Sequence, residues 1–468
     1  MGRPYEGHVV AAPFHPPLRT VRSPFNYAVL IGSAAIILAL LLVELRQANP
    51  PWQHYAGQTQ PIVLIPTQTG KPELCLTCHN GIEDISAAHP AAAFGCVVCH
   101  GGDPLSLDKD TAHAGMRGGR NPSDLSVVQA SCGGPQCHSG SAADSRDHIA
   151  RVEDSVQATY AGAINKLLYS FNQTGPSGPY YGVEAATAAY AGAPDTTSAL
   201  LKFDPANFNN ALVASFGQNC LTCHLRAPSI QQPYYYRSTG CAACHTPYNA
   251  NGLYTGSDPT IPRDVPGYPA QHRLTIQIPY TQCNTCHNRG NYSLPHMTFI
   301  PRGDLASLSP AMTGDQLRML TYYQPIAQFT KCEYELDCVD CHTSKEAMGD
   351  GSLHLSEASA QTVQCQTCHG TLTSSPTFVT ITDPNDPAIR RGNLNPFYDV
   401  QVGSQVLQTP DGDTLGAVQL INGQVVEIGQ VTGITYTVPQ VKGSACQQKP
   451  DQQSSQYCHQ CHSVGVPH

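Results

Sequence analysis

Cys75-Leu-Thr-Cys78-His79, followed 21 residues later by Cys96-Val-Val-Cys99-His100, decides how this chain is read. The pattern is two cysteines flanking two residues, with histidine directly after. It returns as Cys220-Leu-Thr-Cys223-His224, Cys241-Ala-Ala-Cys244-His245, Cys283-Asn-Thr-Cys286-His287, Cys338-Val-Asp-Cys341-His342, Cys365-Gln-Thr-Cys368-His369 and Cys458-His459-Gln-Cys461-His462. A ninth copy is wider, Cys132-Gly-Gly-Pro-Gln-Cys137-His138. Chance at this composition allows roughly 0.04 matches to the narrow form, so the repetition is built in. The copies are numbered one to nine below in chain order.

Zinc fits poorly, because zinc ribbons pair two Cys-x-x-Cys elements and need no histidine directly after the second thiol. A disulfide framework fits poorly too, because such close cysteines rarely place their Cβ atoms well for bonding to each other. Thioredoxin-like chemistry needs one copy near a βαβ pattern, which is not evident. What remains is covalent c-type haem attachment: two thiols add across the vinyl groups and the histidine binds the iron.

From Cys75 to His462 the chain resembles the multihaem c-type cytochromes. The short motifs are specific for haem and say little about subfamily. The wide motif at Cys132 resembles variants found in small multihaem cytochromes. The resemblance implies nine covalently attached haem c groups, with His79, His100, His138, His224, His245, His287, His342, His369 and His462 as proximal iron ligands.

The composition agrees with a cofactor-filled interior. Charged residues are 13% of the chain, against about a quarter in ordinary domains. Forty glycines and 38 prolines break regular elements into loops. Porphyrin burial then replaces much of the side-chain core, and the apo-chain is expected not to fold stably. A net charge of −9 makes nucleic acid an unsuitable partner, since phosphate binding needs basic patches.

Phe25 to Val43 is nearly all apolar, and no charge lies between Arg22 and Glu44. About 20 apolar residues span a bilayer as a helix. Arg3, Arg19 and Arg22 precede the run, which places the N-terminus in the cytoplasm. The competing reading is a cleaved secretory signal, but Glu-Leu-Arg-Gln-Ala-Asn-Pro-Pro after Val43 is a poor cleavage site. Either reading exports the remainder to the periplasmic or extracellular side. The expected location is a single-pass protein of the cytoplasmic membrane.

The expected fold class is mostly irregular: loops and α-helices wrapped around closely packed c-type haems, one N-terminal transmembrane helix, and a small antiparallel β-insert before the last haem. The expected segments are a cytoplasmic tail (1–24), a transmembrane helix (25–45), a linker (46–74), haems one to three (75–145), a helical spacer (146–218), haems four to six (219–300), haems seven and eight (301–370), a β-rich insert (371–445) and the ninth haem (446–468). In the spacer, Ile149, Val152, Val156, Tyr160, Ile164, Leu167, Leu168 and Phe171 recur at helical spacing. Shorter helices are expected at Thr196–Phe203 and Ala206–Phe216. In the insert, Phe378-Val-Thr-Ile, Val418-Gln-Leu-Ile and Gly433–Val438 favour strands, with Asn422-Gly423 and Asp411-Gly412 as turns. Its two readings are structural cover and partner docking, with cover favoured.

The sixth coordination position decides the chemistry. Of 20 histidines nine are proximal, and His8 and His15 precede the apolar run. His54, His89, His113, His148, His272, His296, His354, His459 and His468 remain as distal candidates, one for each haem. Methionine is the competing ligand, and Met297 stands next to His296. Mostly bis-histidine iron with both axial positions filled changes charge with little movement and offers no substrate site. The expected function is therefore electron transfer by hopping between haems, with redox proteins or a membrane respiratory or photosynthetic complex as partners. The alternatives are a multihaem oxidoreductase of the nitrite, hydroxylamine or tetrathionate type with one open haem, a haem subunit of a larger complex, or an extracellular filament. Cys332 and Cys446 stand outside the nine motifs and are candidates for one disulfide.

Overall fold

The computed structural model describes residues 24–48, 60–190, 193–232, 235–249, 251–283, 285–286 and 335–464, and the strand pairs 292–293, 298–299 and 329–330. It divides into two units, Met1–Thr59 and Gln60–His468.

In the first unit, residues Pro24–Ala48 form helix α1. Phe25, Leu30 and Ile31 on it are exposed. Among the described residues no helix is long and apolar enough to cross a membrane, which corrects the expected transmembrane helix at 25–45.

The second unit is also not the mostly irregular chain expected. It carries many short helices and several sheets, one of them five-stranded. Glycine shortens elements here without abolishing them. Gly101 (φ 72°) and Gly370 (φ 69°) follow the motif histidines in the left-handed region and end one-turn helices at His100 and His369.

The helical spacer is three helices in place of one: α2 (His148–Asp154), α3 (Val156–Thr159) and α4 (Ala161–Ser170). Ser155 ends α2 and caps α3 by accepting the Ala158 amide at 3.2 Å. Tyr160 separates α3 from α4 in the left-handed conformation, φ 54°. The expected helix at Thr196–Phe203 is instead two strands, Thr196–Thr197 and Ala199–Lys202. Their Thr-rich, short sequence pairs with Leu353–His354 and with Tyr181–Gly182 and Ala186–Thr187. Helix α5 (Ala211–Asn219) is capped by Asn210, whose side chain accepts the Leu212 amide at 2.9 Å. Ile164, Leu167 and Leu168 of α4 pack with Phe203 and with Val213 and Phe216 of α5, and Cys220 of motif four closes this core. Each such side chain contributes about 1.5–3 kcal/mol by leaving water.

The segment before the ninth motif is an antiparallel meander of five strands, β1 (Phe378–Thr380), β2 (Gln405–Gln408), β3 (Thr414–Ile421), β4 (Gln424–Ile428) and β5 (Thr435–Thr437). Asn422 (φ 52°) and Gly423 (φ 79°) both turn left-handed between β3 and β4, as a two-residue type I′ hairpin requires. One core of the sheet segment gathers Val406, Ala417, Tyr398 and Val400 with Ala388 of the helix Pro387–Gly392. The other gathers Leu407, Val418, Val425 and Val438 against Cys368 of motif eight. The sheet is thus larger than a small insert, and it leans on a cysteine motif.

Candidate cofactor site

The motifs fold as tight turns. The histidine amide donates to the first cysteine's carbonyl at 3.0 Å in His79, 2.9 Å in His100, 3.0 Å in His245 and 2.9 Å in His342. The wide motif closes the same bond, His138 to Cys132 at 3.1 Å. Its two additional residues bulge out at Gly134, φ 135°, without breaking that bond. Among the described residues no disulfide joins any motif cysteine. Cys446 is likewise outside any disulfide, while its expected partner Cys332 lies outside the described residues.

Two motif cysteines stand apart from the rest by their exposure. Cys137 and Cys461 are exposed, whereas the remaining described motif cysteines are half-buried or buried. Cys137 is carried outward by the bulge of the wide motif. Cys461 sits with His462 in the last turn of the helix Ser455–His462, and both are exposed. Cys458, one turn earlier, lies against Cys365 of motif eight and is partly covered by it. Cys461 and His462, one turn further on, face solvent.

The tertiary fold then brings imidazoles together in twos. The His79 and His113 rings are 6.1 Å apart, His100 and His272 5.9 Å, and His138 and His89 5.9 Å. Two metal–imidazole bonds of about 2 Å plus the ring radii put opposed ligands roughly 6 Å apart, centre to centre. Ligating histidines characteristically fix the other ring nitrogen to a carboxylate or carbonyl. That arrangement recurs here. The Nδ1 atoms of His79 and His342 lie 2.7 and 3.2 Å from carboxylate oxygens of Asp258 and Glu346. Those of His113, His245, His272 and His369 lie 2.7–2.8 Å from the carbonyls of Lys109, Thr275, Glu83 and Pro439. His89 Nδ1 lies 2.9 Å from Ser86 Oγ. The opposite nitrogen, Nε2, is then the one presented.

Electrostatics favour the neutral, metal-binding form of several rings. Burial first, and the neighbouring His272, His79 and His113 next, push His100 down to about 4. Burial also lowers His89, His138, His224 and His245. His79 goes the other way: burial opposes its charge, but the Asp258 carboxylate outweighs burial and raises it.

Other candidates are placed differently. His148 lies 5.5 Å from the His138 ring, yet its Nδ1 is 2.8 Å from Arg151 Nη2, a group that can only donate. That bond puts the proton on Nε2, the wrong tautomer for ligation through it. His354 is buried with Nδ1 on Ser359 Oγ and Nε2 on Asp350, at 3.1 and 3.2 Å. It is a satisfied structural histidine. His54, His287, His296 and His468, and the side chain of His459, lie outside what the structure describes.

The motifs also touch one another. The Cys75 and Cys96 sulfurs are within hydrogen-bond reach, and Glu73 joins them with all three donor atoms inside 4.8 Å. Among the described residues this is the one group of three donors that could hold an ion; thioether formation by the two cysteines would remove it. The helix Val97–His100 of motif two packs on Val128–Ser131, which leads into motif three. Cys132 of motif three shares a core with Cys241 and Cys244 of motif five. The motif-five helix Ala242–His245 packs on Tyr280–Cys283 of motif six, which packs on Cys338–Cys341 of motif seven. Glu346 after motif seven accepts the Thr362 and Val363 amides at 2.6 Å, just before motif eight. Cys365 of motif eight donates its amide to Ser455 Oγ at 2.9 Å beside motif nine. Motif four stands off this line, joined to motif six where Cys223 and Cys286 hydrogen-bond.

Arg237 tests the fit of an acidic, buried group. It is 1% exposed and near motifs four to six. Its Nη1 and Nη2 donate to the Ser238 and Thr222 carbonyls at 3.0 and 2.6 Å, and its Nε has no partner. Among the described residues no carboxylate pairs with it, and a buried guanidinium without one is costly. Haem propionates are anions of the right kind to satisfy it. The donor set of paired thiols, opposed imidazoles and this cation therefore fits haem.

Sequence reasoning missed Asp258, Glu346, Arg237 and Tyr160. Asp258 lies 179 positions from His79, and no local pattern links them. Comparison with known proteins returns nothing to set beside this arrangement: no family model, no curated protein and no solved structure matches the chain.

Proposed function

We propose that this chain is a multihaem c-type cytochrome that conducts electrons on the exported side of the cytoplasmic membrane. The observation that carries the reading is the trio of opposed imidazole pairs, each containing a motif histidine. Bound haem iron supplies a one-electron couple. The chain's own residues do the rest. Cysteines fix each group in register, buried imidazoles stay neutral, and Asp258 and Glu346 hold the proximal rings. Opposed ligands in both oxidation states keep nuclear movement small. Contact from motif to motif supports hopping along the series one, two, three, five, six, seven, eight and nine. The solvent-facing ninth motif, with Cys461 and His462 exposed, is the end of that series open to a partner. A redox protein is the partner class, with net charge −9 favouring a basic one.

Quantifying haem on the denatured, purified chain tests this. Nine haems that stay with the polypeptide support it. A chain carrying zinc, or none bound covalently, rejects it.

A further inference from the structure

We infer that the motif-four haem differs from the paired-imidazole haems of motifs one to three: the face opposite His224 is Tyr160's, and it is where a small uncharged ligand reaches iron. This rests on the proposed haem attachment. The ring facing His224 belongs to Tyr160, 5.9 Å away, within the 5.5–6.1 Å spread of the imidazole contacts. The placement is enforced. The amide of Leu225, next to His224, donates to the Gln157 carbonyl at 2.9 Å, tying α3 to motif four. Tyr160 ends α3 with its amide on the Val156 carbonyl at 2.9 Å. Phe216 stacks with the Tyr160 ring at 6.1 Å and 14°.

The backbone is a second observation. A bulky aromatic held at φ 54° costs on the order of 1–3 kcal/mol, and such strain persists where a side chain must be aimed. Motif four is also the one that leaves the line of contacting motifs, so a different iron there does not interrupt conduction. The core that Tyr160 packs against, Ile164, Leu168, Phe203, Val213 and Phe216, is apolar and favours an uncharged diatomic there, while the buried Arg237 bonds the Thr222 carbonyl of the motif itself. Phenol oxygen is a weaker iron ligand than imidazole and leaves ferric haem high-spin, whether it binds or only faces the metal.

The test uses the full-length holoprotein. Paramagnetic resonance of the oxidised form should show high-spin ferric haem, and the reduced form should bind carbon monoxide. Tyr160→His should remove about one high-spin haem and about one carbon monoxide per chain while covalent haem stays at nine, since histidine tolerates left-handed backbone. Wild-type protein with no high-spin iron and no carbon monoxide binding overturns the inference. So does a folded Tyr160→His protein with both signals undiminished. A chain lacking covalent haem would instead sink the underlying reading.

Discussion

The His113 ring stands 6.1 Å from the His79 ring and at 88° to it, although 33 residues of turns and one-turn helices separate them. Asp258 anchors one ring and the Lys109 carbonyl the other. Removing His113 as alanine should open one iron without releasing its haem. One new high-spin ferric signal and one further carbon monoxide per chain are expected. His354→Gln should leave the spin state unchanged, because both nitrogens of His354 already have protein partners.

Asp258→Asn should raise the reduction potential of the motif-one haem. The carboxylate pushes electron density toward the imidazole and stabilises the more positive oxidised iron. Redox titration of the variant checks this. An unchanged set of potentials would show that Asp258 only packs.

Arg237→Gln should lower the potential of a haem near motifs four to six, because a buried cation disfavours oxidation. At an effective dielectric near 20 and a separation of roughly 8 Å, the interaction is about 2 kcal/mol. The variant should also lose salt-insensitive stability, read by thermal unfolding of the holoprotein.

Glu427 makes the β-sheet sensitive to pH. It is 6% exposed, and burial first, then the Asp340 carboxylate, push it up to about 8 from an ordinary 4.5. The folded state therefore holds a proton that the unfolded chain releases. Its stabilising effect is complete below about pH 4.5 and is lost as pH rises toward 8. Amide exchange in β3–β5 should quicken from pH 5 to 8 beyond the intrinsic rate change. Glu427→Gln should remove that excess.

Much of the proposed site was legible in the chain because the haem attachment proposed for it is local. Two thiols and an imidazole must share one turn, and a turn is short enough to show as a motif. Burial is not local: Cys458 and Cys461 read alike in the motif, yet Cys458 lies against Cys365 and is partly covered while Cys461 is exposed. His113, His272 and His89 were legible as candidates by elimination. His148 and His354 passed the same elimination, and what separates them is a neighbour: Arg151 on one and Asp350 with Ser359 on the other. Apolar composition marked Phe25–Val43, yet among the described residues no helix is long and apolar enough to cross a membrane. Glycine and proline suggested irregular chain, whereas the left-handed glycines after His100 and His369 terminate helices and Asn422-Gly423 builds a hairpin.

By itself, then, the sequence determined the number of attachment turns and the chemistry each can perform, since covalent spacing is a property of neighbours along the chain. Tertiary structure decided which imidazoles oppose each other, that motif three meets motif five, that Cys461 faces solvent, and that Tyr160 faces His224. Those relations join residues up to 172 positions apart, and only burial and hydrogen bonding in the folded chain bring them together.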